Sequence, residues 1–456
     1  MMTAYRNVLE MIGNTPMLEA RKLDAGPCSL FLKLENQNPG GSIKDRIALS
    51  MIEAAERDRK IGPGGTLIEA TAGNTGLGLA LVAAQKGYRL LLVIPDKMAQ
   101  EKVFHLRALG AEVRMTRSDV GKGHPEYYQD MAGRLAREIP NSFYVNQFAN
   151  PANPRAHETG TGPEILRQME GKLDAVVCGV GSGGTLTGVG RFMRREAPGV
   201  AMVLADPKGS VLAPLVETGK MTEAGSWLVE GIGEDFVPPN CDLSLVKAAY
   251  TIDDRDSLAA ARELLRQEGI LAGSSSGTLL AAALRYCRAQ TAPKRVVTFV
   301  CDSGNKYLSK MFNDFWMADQ GLIDRPREGD LGDLVARRHA ERATVVLHPD
   351  DTLHLAYGRM KLYDISQLPV IENGKVVGIL DESDLLLAVA DDAARFAKPV
   401  REAMTAKLET VDARAGLADL LPIFARDRVP IVMRDGEFVG LITRIDLLNH
   451  LRRSVQ

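Results

Sequence analysis

Pro39-Gly40-Gly41-Ser42-Ile43-Lys44-Asp45-Arg46 sets one lysine directly after a Gly-Gly turn, at the head of an apolar-periodic run of Ile47, Ala48, Met51, Ile52 and Ala55. The period predicts a helix beginning near Lys44, with Ser42 as its N-cap. Gly40 and Gly41 open backbone conformations closed to other residues. A lysine at the positive end of a helix is disfavoured as an ammonium, and a dry surrounding lowers its pKa further. Such an amine can hold an aldehyde as a Schiff base. Taken alone, Lys44 reads as one of many surface lysines on an amphipathic helix. Two loops further along the chain change that reading.

Around this stretch, residues 1 to about 320 alternate short apolar runs with helical patterns. Phe31–Leu34, Thr66–Ala70, Leu90–Ile94, Ala175–Cys178, Met202–Ala205 and Val296–Cys301 read as strands. Continuous apolar strands separated by helices predict an α/β fold with a parallel sheet covered on both faces. Ligands collect at the carboxyl ends of such strands. Residues 321–330 are polar and turn-rich and read as linker. An internal repeat follows. Leu368-Pro369-Val370-Ile371 and Gly378-Ile379-Leu380, with Ser383 and Asp384 beyond, are echoed by Val429-Pro430-Ile431-Val432 and Gly440-Leu441-Ile442, with Thr443 and Asp446 beyond. Gly378 and Gly440 lie 62 residues apart, as do Asp384 and Asp446. Two matching units in tandem predict a smaller α+β module.

The length of 456 residues suits two or three domains. A net charge of −2 carries no basic excess for nucleic acid, and no apolar run is long enough to span a bilayer. No signal-peptide pattern opens the chain, so a cytoplasmic protein with no membrane partner is expected. The five cysteines (Cys28, Cys178, Cys241, Cys287, Cys301) are scattered and form no C-x-x-C pair, which predicts reduced thiols and no structural metal.

Two loops carry the chemistry. Thr71-Ala72-Gly73-Asn74-Thr75-Gly76 follows one strand and opens a helical pattern, the makings of an anion site. Gly179-Val180-Gly181-Ser182-Gly183-Gly184-Thr185 follows another, and its glycines let amides approach phosphate oxygens. A capped helix start and a tight strand-to-helix turn explain either loop alone equally well. A dinucleotide fold lacks a well-placed acidic ribose partner, and a Walker loop lacks its Gly-Lys-Ser/Thr triplet. One lysine, one carboxylate-type loop, one phosphate loop and the strand-end Ser303 together suit pyridoxal phosphate holding an amino acid.

With Asn14-Thr15-Pro16-Met17, Lys97-Met98-Ala99-Gln100-Glu101-Lys102, Arg107–Glu112, Glu230-Gly231-Ile232-Gly233 and Asp302-Ser303 added, the chain resembles the β-family (fold type II) of pyridoxal-phosphate enzymes, in its cystathionine β-synthase branch. The resemblance covers residues 1–325 nearly end to end. It implies a two-lobed, tryptophan synthase β-like catalytic domain with parallel or mixed sheets covered by helices. The repeat at 339–456, after a linker at 326–338, resembles the tandem regulatory module named after the same enzymes.

Residue by residue, the resemblance makes Lys44 the cofactor-carrying lysine. Asn74 would reach the cofactor's ring oxygen, Gly181, Ser182, Gly183, Gly184 and Thr185 its phosphate, and Ser303 its pyridine nitrogen. A neutral serine there favours elimination at Cβ over transamination. Thr71, Ala72, Thr75 and Gln147 would receive the substrate carboxylate, with Gly231 and Glu234 at the pocket mouth. Ser383 with Asp384, and Thr443 with Asp446, would hold the ribose of an adenosyl ligand, S-adenosylmethionine or ATP.

Three departures stand out. Ala72 replaces a frequent serine and Glu234 a frequent tyrosine, and the sequence offers no segment for the haem of animal enzymes, so no haem is expected. The implied reaction is a carbon–oxygen lyase's β-replacement, serine with homocysteine to cystathionine, with hydrogen sulfide release from cysteine as a possible accompaniment, in a homodimer or homotetramer. Cysteine synthase, using O-acetylserine and sulfide, is the nearest alternative. A nucleotide sensor with a vestigial catalytic domain is another, against which the intact Lys44, Asn74 and Ser303 speak.

Overall fold

The computed structural model describes residues 4–71, 73–96, 100–121, 123–324 and 328–453. The chain divides into two compact units at Asn313/Asp314.

The N-terminal unit contains two sheets. In one, β5 (Glu112–Thr116), β4 (Arg89–Pro95), β3 (Thr66–Ala70) and β6 (Ser142–Tyr144) lie side by side in that order, all parallel. In the other the order is β1 (Met17–Ala20), β2 (Ser29–Leu34), β10 (Arg295–Val300), β7 (Ala175–Cys178), β8 (Ala201–Pro207) and β9 (Val246–Ile252). Only β1 runs antiparallel to its neighbour. Every residue of β3 and of β7 is buried, as helix-covered parallel strands require. The six apolar runs read from the sequence are the cores of β2, β3, β4, β7, β8 and β10.

Helix α1 (Lys44–Arg57) buries Ile47, Ala48, Met51, Ile52 and Ala55, the periodic set, and packs on α2 (Asn74–Lys86). Gly78 makes this packing close: a Cβ there would meet the Lys44 carbonyl at 3.1 Å. Helix α2 ends at Gly87, whose left-handed backbone (φ 75°) donates to the Ala83 carbonyl.

The C-terminal unit holds the repeat as two hairpins, β11–β12 (Gln367–Glu372, Lys375–Asp381) and β14–β15 (Ile431–Arg434, Glu437–Leu441), with β13 (Thr410–Asp412) parallel to β14. The turns are Asn373-Gly374 and Asp435-Gly436, all four residues at positive φ. That is the pairing which tight hairpin turns select. The repeats keep separate cores, Leu347, Met360, Leu368 and Leu380 in the first and Val411, Leu420, Val432 and Ile442 in the second. Leu331, Leu334 and Val335, from the stretch read as linker, are buried in the second core. Arg325, Pro326 and Arg327 lie outside the described residues.

Candidate active site

Lys44 is the first residue of α1, and Ile43, not the expected Ser42, stands at the N-cap position; Ser42 Oγ instead accepts the Lys44 N–H at 3.2 Å. Gly41 takes φ 75°, and Gly40 donates to Asp45 Oδ2 at 2.5 Å, which folds the turn tightly onto the helix start. Lys44 lines a partly open cavity with Asn74, the glycine loop, Gly231, Ser275 and Cys301. Burial holds its amine below the ordinary lysine pKa, against the opposing pull of Cys301, Asp302 and Glu234. A buried amine whose pKa is lowered sheds its proton more readily than an ordinary lysine and can act as a nucleophile or base.

The glycine loop joins β7 to the helix Gly184–Glu196. A Cβ at Gly181 would lie 2.5 Å from the Gly231 carbonyl oxygen, and one at Gly184 would land on Asn153 Oδ1. Gly183 has φ 83°, and a Cβ there would meet Cys241 at 2.7 Å. The loop therefore exposes bare amides at the positive end of a 13-residue helix. Ser182 Oγ accepts from Asn153 Nδ2 at 2.8 Å, and Thr185 Oγ1 lies 3.3 Å from His157 Nε2. Burial, then the charges of Arg46 and Lys44, hold the His157 pKa well below its ordinary value. Amides, a hydroxyl and a neighbouring dry amine form the donor set of a phosphorylated aldehyde.

In the Thr71–Gly76 turn, Thr71 Oγ1 accepts the Gly73 N–H at 3.2 Å. Thr75 Oγ1 donates to Gln147 Oε1 at 2.7 Å, so two residues read separately from the sequence meet. Asn74 lines the cavity, but its amide is already engaged: Nδ2 donates to Asp302 Oδ2 at 2.8 Å and Oδ1 accepts from Lys306 Nζ. Ala72 lies outside the described residues, as do Lys97, Met98 and Ala99. Glu234 follows Gly231 and Gly233 (φ 87° and 88°), and Ser210 Oγ pins its backbone by accepting from its N–H and donating to its carbonyl, both at 3.1 Å. Its carboxyl meets no hydrogen-bond donor among the described residues, and burial first, then Asp235, pushes it up to about 8.

Ser303 is placed differently from its expected role. Its hydroxyl accepts the Asn305 N–H at 3.3 Å, capping a short turn, and it is not among the residues lining the cavity. Ser275, in the first turn of the helix Ser274–Arg288, is. In the tail, Asp446 Oδ2 accepts from both N–H and Oγ1 of Thr443, at 2.7 and 2.5 Å. Asp384 is held by the Asp381 N–H and by Thr405 Oγ1, while Ser383 is exposed.

Fold and site together define a pyridoxal-phosphate enzyme of the β-synthase type. The chain belongs to the pyridoxal-phosphate dependent enzyme family, whose model matches residues 8–302, and carries two CBS domains, matched at 336–391 and 400–453. It is 38% identical to the cystathionine beta-synthase of Dictyostelium discoideum over 99% of this chain and 93% of that protein. It is 40% identical to the cysteine synthase of Staphylococcus aureus over 68% of this chain and 97% of that protein. Among solved structures, a hydrogen sulfide-producing enzyme from Fusobacterium nucleatum matches with TM-score 0.62 and 36% identity, covering 67% of this chain and all of that one. No helix among the described residues is long and apolar enough to cross a membrane.

Proposed function

We propose that this enzyme condenses L-serine with L-homocysteine to cystathionine and water, using a catalytic domain at 1–325 and a tandem module at 339–456 whose second core also takes in Leu331, Leu334 and Val335 of the intervening 326–338. The observation that carries the reading is the shared cavity of Lys44 and the Gly181–Thr185 cradle, in a chain similar over 99% of its length to a cystathionine beta-synthase. Pyridoxal phosphate, when bound, supplies the electron sink for breaking the Cα–H and Cβ–O bonds. The amides of Gly181 to Gly184 and the Thr185 hydroxyl hold its phosphate. Ser275, which lines the cavity together with the glycine loop's own Ser182, takes the pyridine-nitrogen role first given to Ser303, and Asn74, released from Asp302, the ring-oxygen role. Thr71, Thr75 and Gln147 receive the amino-acid carboxylate. Nζ of Lys44 takes the proton from Cα and returns it after the thiol has added at Cβ. Glu234, whose carboxyl has no hydrogen-bond partner among the described residues, faces the ammonium of the second amino acid. The tail binds an adenosyl ligand at Thr443 and Asp446.

Steady-state rates with serine or O-acetylserine, each against homocysteine, sulfide or cysteine, test the reading. Serine with homocysteine is expected to give the highest kcat/KM. O-acetylserine with sulfide prevailing instead would identify a cysteine synthase, the activity named for the 40%-identical relative.

A further inference from the structure

Glu69 is the last polar residue of β3, is buried to 1% exposure, and among the described residues has no cationic partner. Its Oε1 accepts the Ala70 N–H at 2.8 Å, and its Oε2 accepts the Gln147 N–H at 3.1 Å. Ala70 leads directly into the Thr71–Gly76 turn. Gln147 follows Asn146, whose left-handed backbone (φ 48°) swings the chain back over the end of β3. From Gln147 the contacts continue. Its side chain accepts from Thr75, and its carbonyl accepts from Asn153 Nδ2 at 2.7 Å and Asn240 Nδ2 at 2.9 Å. The same Asn153 nitrogen donates to Ser182 of the glycine loop at 2.8 Å. One carboxylate thus ties the first loop to the segment facing it, and that segment to the second loop.

We infer that Glu69 is a positioning residue: its two oxygens set the Thr71–Gly76 turn and Gln147 in the arrangement that accepts the amino-acid carboxylate. This rests on the reading of that turn given above. A carboxylate is suited to the task because it offers acceptors on both oxygens, whereas an amide or a carboxylic acid turns a donor toward one of the two N–H groups. Burial pushes Glu69 up to about 7, against the pull of the backbone amides. Tyr144 of β6, paired with Ile68, lies within electrostatic reach of it, as Tyr128 and Asp130 of the helix Tyr128–Glu138 do of Tyr144. As pH falls through about 7, one oxygen takes a proton and one of the two N–H bonds is lost.

The test is the KM for the amino-acid substrate across about pH 6 to 8 in wild type, Glu69→Gln and Thr75→Val, with thermal melts alongside. In wild type, KM should rise as pH falls. Glu69→Gln should sit at the low-pH level throughout, about tenfold above the wild-type high-pH value, with kcat nearly unchanged. A wild-type KM that is flat with pH overturns the inference whether or not the variant folds. So does a Glu69→Gln protein that melts earlier yet keeps the wild-type KM, because Glu69 then only satisfies two backbone amides. Thr75→Val raising KM while Glu69→Gln does not would sink the role of Glu69 alone. Thr75→Val without effect would overturn the carboxylate turn as well.

Discussion

Glu164 grips Arg46 with both carboxylate oxygens, at 2.8 and 2.7 Å, and shares the second with Lys33 at 2.8 Å. Glu35 closes the other side of the guanidinium at 2.7 and 2.8 Å. All four side chains are buried, and Arg46 stands two residues beyond Lys44 on α1, so the ion-pair network anchors the helix start that presents the lysine. Glu164→Ala takes the paired carboxylate from Lys33 and leaves Arg46 with Glu35 alone, two buried cations against one acid, and should cost about 3–5 kcal/mol of stability, read from urea denaturation. The arginine and lysine hold the Glu164 carboxyl down to about 2. A depressed carboxyl stabilises the fold above its unfolded pKa, so the contribution is present at neutral pH and is lost as pH falls toward about 2. The gap between wild type and variant should therefore narrow in acid. A loss below about 1 kcal/mol at neutral pH would mean that the network does not anchor the helix.

Lys44→Ala should abolish turnover and leave the far-ultraviolet circular dichroism unchanged. Arginine and glutamine at 44 should fail equally, since neither offers an amine that titrates within reach of neutral pH. The decisive measurement is cystathionine formation by the purified alanine variant with no amine added. Formation at a substantial rate refutes the assignment.

What the sequence displayed was whatever depends on neighbours in the chain. The buried strands announced themselves as apolar runs, and the start of α1 as Gly-Gly-Ser before a periodic helix. Thr443 and Asp446 lie three residues apart at a helix start, and they do pair. What stayed hidden depends on partners far along the chain. Asn74 meets Asp302 across 228 residues, which no local pattern encodes. Ser275 sits in Gly273-Ser274-Ser275-Ser276-Gly277, which reads as a plain helix start. Only the packing of that helix against β10 and the glycine loop brings it to the cavity, while the strand-end position that drew attention to Ser303 leaves it capping a turn. Glu69 looked like an ordinary strand residue because its acceptors serve backbone amides, which carry no sequence signature.

Gly183→Asp tests the cradle. The new side chain would meet Cys241 and force a residue with a Cβ into φ 83°, and its charge would oppose a phosphate dianion. The protein should purify colourless, and its affinity for added cofactor, followed by absorbance, should collapse. Full cofactor occupancy in the folded variant would reduce the loop to a structural turn.

Glu234→Ala should raise KM for homocysteine about three- to tenfold and leave KM for serine within about twofold. Its carboxyl, pushed up to about 8, gains charge as pH rises through that value. Attraction for a substrate ammonium should then strengthen, and the wild-type advantage over Glu234→Gln should grow with pH while the ammonium persists. Equal effects on both substrates would leave Glu234 without a part in binding homocysteine.

The tail offers a final test. Asp446 is a half-buried acid at a helix start, held by the Thr443 N–H and hydroxyl, and burial raises its pKa. The matching acid of the first repeat, Asp384, is taken up by a capping box with Asp381 and by Thr405. Asp446 closes the same kind of box with Thr443, so the repeats differ in the Thr405 contact to Asp384 and in a neutral hydroxyl, Thr443, standing where the first repeat has Asp381; on that difference the second is the one expected to bind an adenosyl ligand. Binding there can alter turnover only by favouring one arrangement of the tail over another. Calorimetry with S-adenosylmethionine and with ATP should show heat for wild type and none for Asp446→Ala, and S-adenosylmethionine should activate turnover. Loss of the cap itself should cost no more than about 2 kcal/mol, so the variant remains folded for the measurement. No heat with either ligand would reduce the tail to an assembly module, in which case deleting residues 339–456 should change the oligomer's size in sedimentation and leave turnover unregulated.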